Sequence, residues 1–182
     1  MASVQLPTRL DTARLRLVRP DLELAPRLAT ALNASYGLHQ DFLSWSKPHW
    51  STEDTRDSLR RALEDFPQPA GEKKFFLLLR AETEPLVGCV GLKPRAGGEG
   101  GFELGYWVRQ GHARQGLMKE ALAALIGQLA GQPLGLTTSS ANIASQKLAQ
   151  AVGFQCIQTI TAARRSATFG ICDTLVYQRP TL

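Results

Sequence analysis

Residues 102–118 combine a strand, a turn with glycine and the start of a helix. Apolar side chains alternate from Phe102 to Val108, which is typical of a strand, whereas from Met118 they recur every three or four positions, as on a helix. The first amides of a helix have no acceptor within it and lie at its positive end. Residues 115–119 are therefore suited to bind phosphate oxygens, and Gly116 lets a diphosphate approach closely. The pattern predicts a pyrophosphate cradle.

A carboxylate occupies the same predicted strand. Glu103 shares a face with Gly105 and Trp107, because side chains alternate along a strand. The missing side chain at Gly105 leaves room for a substrate or a water molecule. Glu103 is therefore the candidate general base for removing a proton from a substrate. The alternative is an edge-strand carboxylate that faces solvent.

The surrounding elements predict one α/β domain over residues 1–182. Their order is β-α-α-β-β-β-α-β-α-β-β, which favours a mixed sheet with helices on its faces. Two central strands are joined as a hairpin around residues 82–85. Strands are predicted at residues 13–18, 74–80, 86–92, 102–108, 134–138, 155–162 and 168–178, and helices at residues 21–32, 51–66, 117–130 and 144–152.

Composition excludes several classes of protein. With 182 residues, 43% of them hydrophobic, the chain can bury a core without metal or disulfide staples. No apolar run approaches the roughly 20 residues that span a bilayer, and the first residues lack the features of a signal peptide, so we expect a cytoplasmic protein without membrane contact. Cys89, Cys156 and Cys172 are widely spaced, which favours buried, reduced thiols over a zinc site.

The net charge is positive but dispersed. Lys and Arg outnumber Asp and Glu by 21 to 16, giving a charge of +5 that favours anionic ligands, such as a cofactor phosphate or an acidic protein. No basic stripe emerges along the chain, so we expect no nucleic acid as a partner.

Two motifs resemble the GNAT superfamily of acetyl-CoA-dependent N-acetyltransferases, and within it the RimJ/RimL-like branch that acetylates protein N-termini. The first is E-L-G-Y-W-V at residues 103–108 with H-A-R-Q-G-L-M at 112–118, where the family has a strand and its Q/R-x-x-G-x-G/A cradle. The second is N-I-A-S at 142–145 followed by Gly153-Phe154, similar to N-x-x-S…GF. Two cradle positions differ, since Ala113 replaces Q/R and Met118 replaces G/A.

The resemblance implies a GNAT fold, with a mostly antiparallel seven-stranded sheet flanked by about four helices, and acetyl-CoA as co-substrate without a metal. In the family the strand end bonds the pantetheine amides through its backbone, and Arg114 can supply charge that Ala113 lacks. The residues implied in cofactor binding are Trp107, Val108, Arg114, Gln115, Gly116, Leu117, Met118, Lys119 and Asn142.

Ser145 has two compatible interpretations. It lies in the first turn of a helix that Asn142 is expected to cap, where hydroxyl groups commonly bind amides. In the resembling enzymes the Ser of N-x-x-S faces the thioester sulfur, so Ser145 is also the candidate proton donor to the leaving thiolate. Tyr106 is expected in the core, and His112 in a loop rather than as a base.

The acceptor pocket is expected in an aromatic segment. His39, Trp45 and Trp50 fall where the resembling family builds its acceptor site from the first two helices. Aromatic packing beneath a loop, with His at the rim, is the alternative for each of them.

The implied reaction is direct acetyl transfer to an amine in a ternary complex, without a covalent enzyme intermediate. Deprotonating an α-amine of pKa about 7.8 at pH 7 costs about 1 kcal/mol, against about 4.6 kcal/mol for a lysine. A single carboxylate therefore suits the N-terminal amine of a protein or peptide, and the basic surface favours an acidic one. Polyamines, aminoglycoside-like or amino-acid-like amines are the alternative. A protein that binds acyl-CoA without catalysis is another alternative function. A homodimer through the last strands is suggested by fold analogy alone.

Overall fold

Eight strands form one sheet in the computed structural model, which describes residues 4–97 and 100–181. The strands, in the order in which they lie side by side, are β1 (Arg9–Asp11), β2 (Leu15–Val18), β3 (Lys73–Leu79), β4 (Leu86–Pro94), β5 (Phe102–Val108), β6 (Leu134–Ser139), β8 (Gly170–Arg179) and β7 (Gln155–Ser166). Every pairing is antiparallel except that of β5 with β6. The predicted mixed, mostly antiparallel sheet is confirmed, but it has eight strands rather than seven, because the three-residue β1 pairs with β2 at its edge.

Within the described residues, five α-helices flank the sheet: α1 (Ala25–Asn33), α2 (Tyr36–His39), α3 (Thr52–Asp65), α4 (Leu117–Gln128) and α5 (Ile143–Ala151). Ser51 begins α3 with a capping box, in which its hydroxyl binds the Asp54 amide and the Asp54 carboxylate binds the Ser51 amide. A short 3-10 helix, Leu22–Leu24, precedes α1.

Each face of the sheet packs through its apolar residues against a different pair of helices. Leu104, Leu134 and Leu136 pack with α4 and α5. On the opposite face, Phe76 and Cys89 pack with α1 and α3. We call these the α4 face and the α1 face. Because neighbouring side chains of a strand point to opposite faces, this division assigns a face to every residue of β5 and β6.

The expectation of three buried thiols is wrong for Cys156. Cys89 and Cys172 are buried, but Cys156 is exposed because β7 is an edge strand with little packed over it. All three cysteines are free. No helix within the described part of the chain is long and apolar enough to cross a membrane.

Candidate active site

The central strands β5 and β6 separate soon after they begin. They pair only through Phe102 with Leu134 and Glu103 with Gly135, although β5 continues to Val108 and β6 to Ser139. Their remaining lengths therefore enclose an opening in the sheet. A linear group inserted there can meet the peptide groups of β5 as if it were a neighbouring strand.

The hydrogen-bonding pattern shows which peptide groups of β5 face this opening. The Arg109 amide donates to the Val87 carbonyl of β4, and the Phe102 amide donates towards β6, to Pro133. Since these directions alternate along a strand, Val108 faces the opening and Trp107 faces β4. Of the two residues expected to bind pantetheine through the backbone, Val108 is therefore suitably placed, whereas the Trp107 backbone is directed away.

The cradle lies at the end of β5. Gly116 precedes α4 in the left-handed conformation, at φ 77°, and Arg114 adopts the same region at φ 61°. Within the described residues, no group accepts a hydrogen bond from the backbone amides of residues 114–119. These amides remain free for phosphate oxygens, as the sequence predicts, and a diphosphate fits the donors present.

Side chains divide the predicted cradle residues into two groups. Leu117 and Met118 are buried in the core, so they offer only their amides to a ligand. Arg114, Gln115 and Lys119 are exposed and offer side chains as well. The carboxamide of Gln115 donates to the Gly111 carbonyl, at 3.0 Å, and this bond closes the turn.

Arg14 supports the cradle, and the motif analysis missed it. Its guanidinium donates to the Gln115 carbonyl at 2.8 Å and forms an ion pair with Glu120, in the first turn of α4, at 3.0 Å. Thr12 also donates to Glu120, at 2.6 Å. These contacts fix the start of α4 against the beginning of the sheet. Arg14 is distant from the cradle in sequence, so no local motif could reveal it.

Glu103 lies on the α1 face, beside Gly105, as predicted. Its carboxylate extends over Gly135 of β6, where an added Cβ would lie 2.7 Å from Oε2. Burial raises the pKa of Glu103, and Arg95, whose Nε is 4.0 Å from Oε2, opposes that shift. No atom of the described residues lies within 4 Å of a Cβ placed on Gly105, so the space beside the carboxylate is open.

A second carboxylate reaches the same face. Gly91 of β4 lies directly opposite Gly105, and a Cβ on Gly91 would collide with Oε1 of Glu72. Gly91 and Gly105 thus form a patch of the α1 face that has no side chains of its own. Glu72 lies over Gly91, and Glu103 lies two residues before Gly105 on β5. Glu72 precedes β3 and carries no motif that would identify it from the sequence.

Ser145 and Tyr106 meet on the α4 face. Their hydroxyl oxygens lie 2.8 Å apart. Asn142 caps α5 as predicted, since its Oδ1 accepts from the Ser145 amide at 3.1 Å. Tyr106 packs against the core, but its hydroxyl reaches the helix cap, and burial raises its pKa while the bond to Ser145 lowers it. Tyr106 thus remains protonated near neutral pH.

The aromatic segment packs beside β5, and its members differ in accessibility. His39 is 4% exposed and its Nε2 lies 2.8 Å from the Val108 carbonyl oxygen. Its ring contacts Trp45 and Trp107 edge to face. Trp45 is 45% exposed and is available to a ligand, whereas Trp50 packs on the core of the α1 face. The structure therefore places His39 at the end of β5 rather than at a rim.

Glu103 thus lies on the α1 face of the sheet, and the hydroxyl groups of Tyr106 and Ser145 lie on the α4 face. Between them β5 and β6 separate, and the free amides of residues 114–119 lie at the end of β5. A family model described as an acetyltransferase (GNAT) domain matches residues 14–155. The chain belongs to the GNAT acetyltransferase family. It is therefore an acyltransferase whose co-substrate is acetyl-CoA. Among the described residues, no cluster of three or more His, Cys, Asp or Glu is arranged to hold a metal.

Solved structures share this fold over nearly their whole length. A RimL ribosomal L7/L12 α-N-protein acetyltransferase in complex with coenzyme A superposes with a TM-score of 0.83 at 19% identity, over 96% of this chain and 97% of that one. The microcin C7 self-immunity acetyltransferase MccE, in complex with acetyl-CoA and AMP, gives 0.84 at 15% identity, over 97% and 98%. An acetyltransferase from Salmonella typhimurium that modifies the N-terminal serine of ribosomal protein L7/L12 gives 0.77 at 19%, over 92% and 95%.

A comparison with curated protein sequences found no match. The solved structures therefore establish the fold, and the fold is the one found in the RimL branch.

Proposed function

We propose that this acetyltransferase modifies the N-terminal α-amine of a protein or peptide. The observation that supports this most is the position of Glu103, a partly buried carboxylate beside the open space at Gly105. A carboxylate with a raised pKa is a stronger base than an ordinary glutamate, and an α-amine is the acceptor that it deprotonates at least cost. RimL enzymes, which share the fold, carry that activity.

The cofactor contacts follow from the free donors of the chain. The amides of residues 114–119 bind the diphosphate, with the side chains of Arg114 and Lys119 adding positive charge. The Val108 amide, at the edge of the opening, bonds the pantetheine arm. Asn142 fixes the start of α5 by accepting a hydrogen bond from the Ser145 amide. Acetyl-CoA supplies the activated thioester that an amine can attack.

The two sides of the opening divide the chemistry. On the α1 face, Glu103 accepts a proton from the amine, directly or through one water molecule. On the α4 face, Ser145 donates a hydrogen bond to the departing sulfur and passes its proton to it, solvent restores the proton of the Ser145 hydroxyl, and the Tyr106 hydroxyl orients Ser145. The new N–C bond replaces the C–S bond in one direct transfer, and no residue is acylated. Trp45, exposed beside Trp107, supports the acceptor chain.

A panel of acceptors tests this proposal. Release of free CoA from acetyl-CoA is measured with N-terminal peptides, internal-lysine peptides, polyamines and aminoglycosides at equal concentration. We expect the highest kcat/KM with the peptides that carry a free α-amine, and no turnover after N-terminal blocking. Preferred turnover of a polyamine or an aminoglycoside would contradict the acceptor assignment, and CoA binding without turnover of any amine would indicate a protein that only binds acyl-CoA.

A further inference from the structure

Arg164, near the end of β7, is held in a fixed orientation without an ion pair. Its Nε donates to Thr174 Oγ1 and its Nη2 to Thr137 Oγ1, both at 2.9 Å. In the described part of the chain, no carboxylate lies within salt-bridge distance of the guanidinium. Burial lowers the pKa of Arg164, and no neighbouring charge opposes this shift. A partly buried cation of this kind gains from an anion that completes its hydrogen bonds.

Arg164 is one of the residues that line a cavity of about 390 Å³. Residues 40–44, after α2, form one wall, and Ser139 with residues 164–166 form the other. Asp41 is also in this wall, but its carboxylate already accepts hydrogen bonds from Ser166 Oγ at 2.7 Å and from the Thr168 amide at 2.8 Å. Arg164 and Asp41 thus both line the cavity, and the Asp41 carboxylate is already bound to other groups.

The Arg164 guanidinium is bound on the face where Glu103 lies. Leu134 and Leu136 point to the α4 face, so Gly135 and Thr137 point to the α1 face. The Glu103 carboxylate lies over Gly135, and the Arg164 guanidinium is bound to Thr137, two residues further along β6. At a rise of about 3.3 Å per residue, the two strand positions are roughly 7 Å apart.

We propose that Arg164 binds a carboxylate of the acceptor and so selects N-terminal segments with Asp or Glu among their first two residues. This inference rests on the proposed acetylation of α-amines. When the α-amine of the acceptor lies beside Glu103, the side chain of acceptor residue 1 or residue 2 lies about one or two residue lengths from Glu103. This distance matches the spacing between Gly135 and Thr137 along β6. A guanidinium fork bound on two of its nitrogens is suited to grip a planar carboxylate with the donors that remain.

The test compares matched acceptor peptides that differ only in the charge of residue 1 or residue 2. The peptides carry Asp, Asn or Lys at each position. Their kcat/KM is measured with the full-length wild-type protein and with its variants Arg164→Gln, Arg164→Glu and Arg60→Gln. Arg60 is exposed on α3 in an i,i+3 pair with Asp57, away from the cavity, and serves as the matched loss of one charge. Melting temperature is recorded for each variant.

We expect the wild type to favour Asp over Asn by about tenfold or more at one of the two positions, as for a charge-assisted hydrogen bond. Arg164→Gln brings the Asp-to-Asn ratio close to one and leaves turnover of the Asn peptide within about threefold of the wild-type value. Arg164→Glu favours the Lys peptide. The control Arg60→Gln keeps the wild-type ratio. An unchanged Asp-to-Asn ratio in Arg164→Gln would overturn the inference. So would a phosphoserine peptide that exceeds the Asp peptide by more than about tenfold, because the site would then select phosphate.

The proposed function and this inference fail in different ways. If peptides turn over without regard to charge, only the role of Arg164 is wrong. If no peptide turns over, the α-amine proposal fails, and calorimetric binding of the Asp and Asn peptides in the presence of CoA still tests Arg164. Tighter binding of the Asp peptide that disappears in Arg164→Gln would support the site, and equal binding would contradict it.

Discussion

The carboxylate of Glu103 lies over Gly135 on the neighbouring strand, so closely that a Cβ at Gly135 would be 2.7 Å from Oε2. The glycine of β6 therefore determines where the candidate base can stand. This pairing falls at the last register position before β5 and β6 separate. The candidate base is thus fixed at the edge of the opening in the sheet, where we propose that the amine and the thioester meet.

Gly135→Ala tests this placement without altering Glu103. The added methyl displaces the carboxylate, so we expect kcat to fall by about tenfold or more, since small misplacements of a catalytic group are costly. Gly105→Ala is the matched control, because nothing lies within 4 Å of its added Cβ. We expect Gly105→Ala to raise KM for the acceptor by occupying its space while the fold persists. Both variants are measured by steady-state kinetics. A kcat of Gly135→Ala equal to that of the wild type would contradict this placement of the Glu103 carboxylate.

The hydroxyl pair of Ser145 and Tyr106 should act as a unit. Ser145→Ala and Tyr106→Phe are each expected to lower kcat at saturating acceptor by about tenfold or more, because each breaks the 2.8 Å contact. The double variant should lose little beyond the larger single loss, since coupled groups are not additive. Fully additive losses in this cycle would show that the two hydroxyl groups act independently.

Gly116 should be required for cofactor binding as well as for the turn. Alanine in the left-handed region costs about 1–2 kcal/mol, so both Gly116→Ala and Gly131→Ala are expected to lower the free energy of unfolding. Gly131 has the same conformation, at φ 79°, with open space around it and no place in the cradle. Calorimetry with CoA should show weaker binding for Gly116→Ala alone. Equal affinity in the two variants would mean that the diphosphate binds elsewhere.

His39 should make the stability of the protein depend on pH. Burial lowers the pKa of His39, and the hydrogen bond to the Val108 carbonyl opposes this. The unfolded chain therefore binds a proton more readily than the folded one, and the free energy of unfolding falls as pH drops below the ordinary value of about 6.5. In His39→Gln we expect a smaller loss between pH 7 and pH 5 in urea denaturation. An identical pH dependence in the two proteins would contradict this account of His39.

Local periodicity predicted most of the fold. The hairpin of β3 and β4 is confirmed, as are the capped starts of α3 and α5. Two elements were missed, β1 and α2, because they contain only three and four residues and are too short to show a period. The strand β7 extends beyond its predicted end to Ser166, through bulges that interrupt the alternation.

The parts of the site that the sequence did not reveal depend on contacts between distant segments. Arg14, in the turn before β2, reaches the cradle at the Gln115 carbonyl. Tyr106 was expected in the core, and its ring is there, but only the packing of α5 brings its hydroxyl to Ser145. Motif spacing identifies residues on one element, whereas these contacts arise from the order of strands in the sheet.

The pH dependence of kcat/KM for an N-terminal peptide tests the central claim most directly, because it reports the ionisation of the base in the free enzyme. With Glu103 as base, wild-type activity should fall at low pH through a pKa above the ordinary glutamate value of about 4.3, in addition to the ionisation of the amine. Glu103→Gln should lower kcat/KM by about 10²–10⁴-fold and retain only the amine ionisation, without loss of thermal stability. An acidic limb that is identical in the two proteins would contradict the assignment of Glu103.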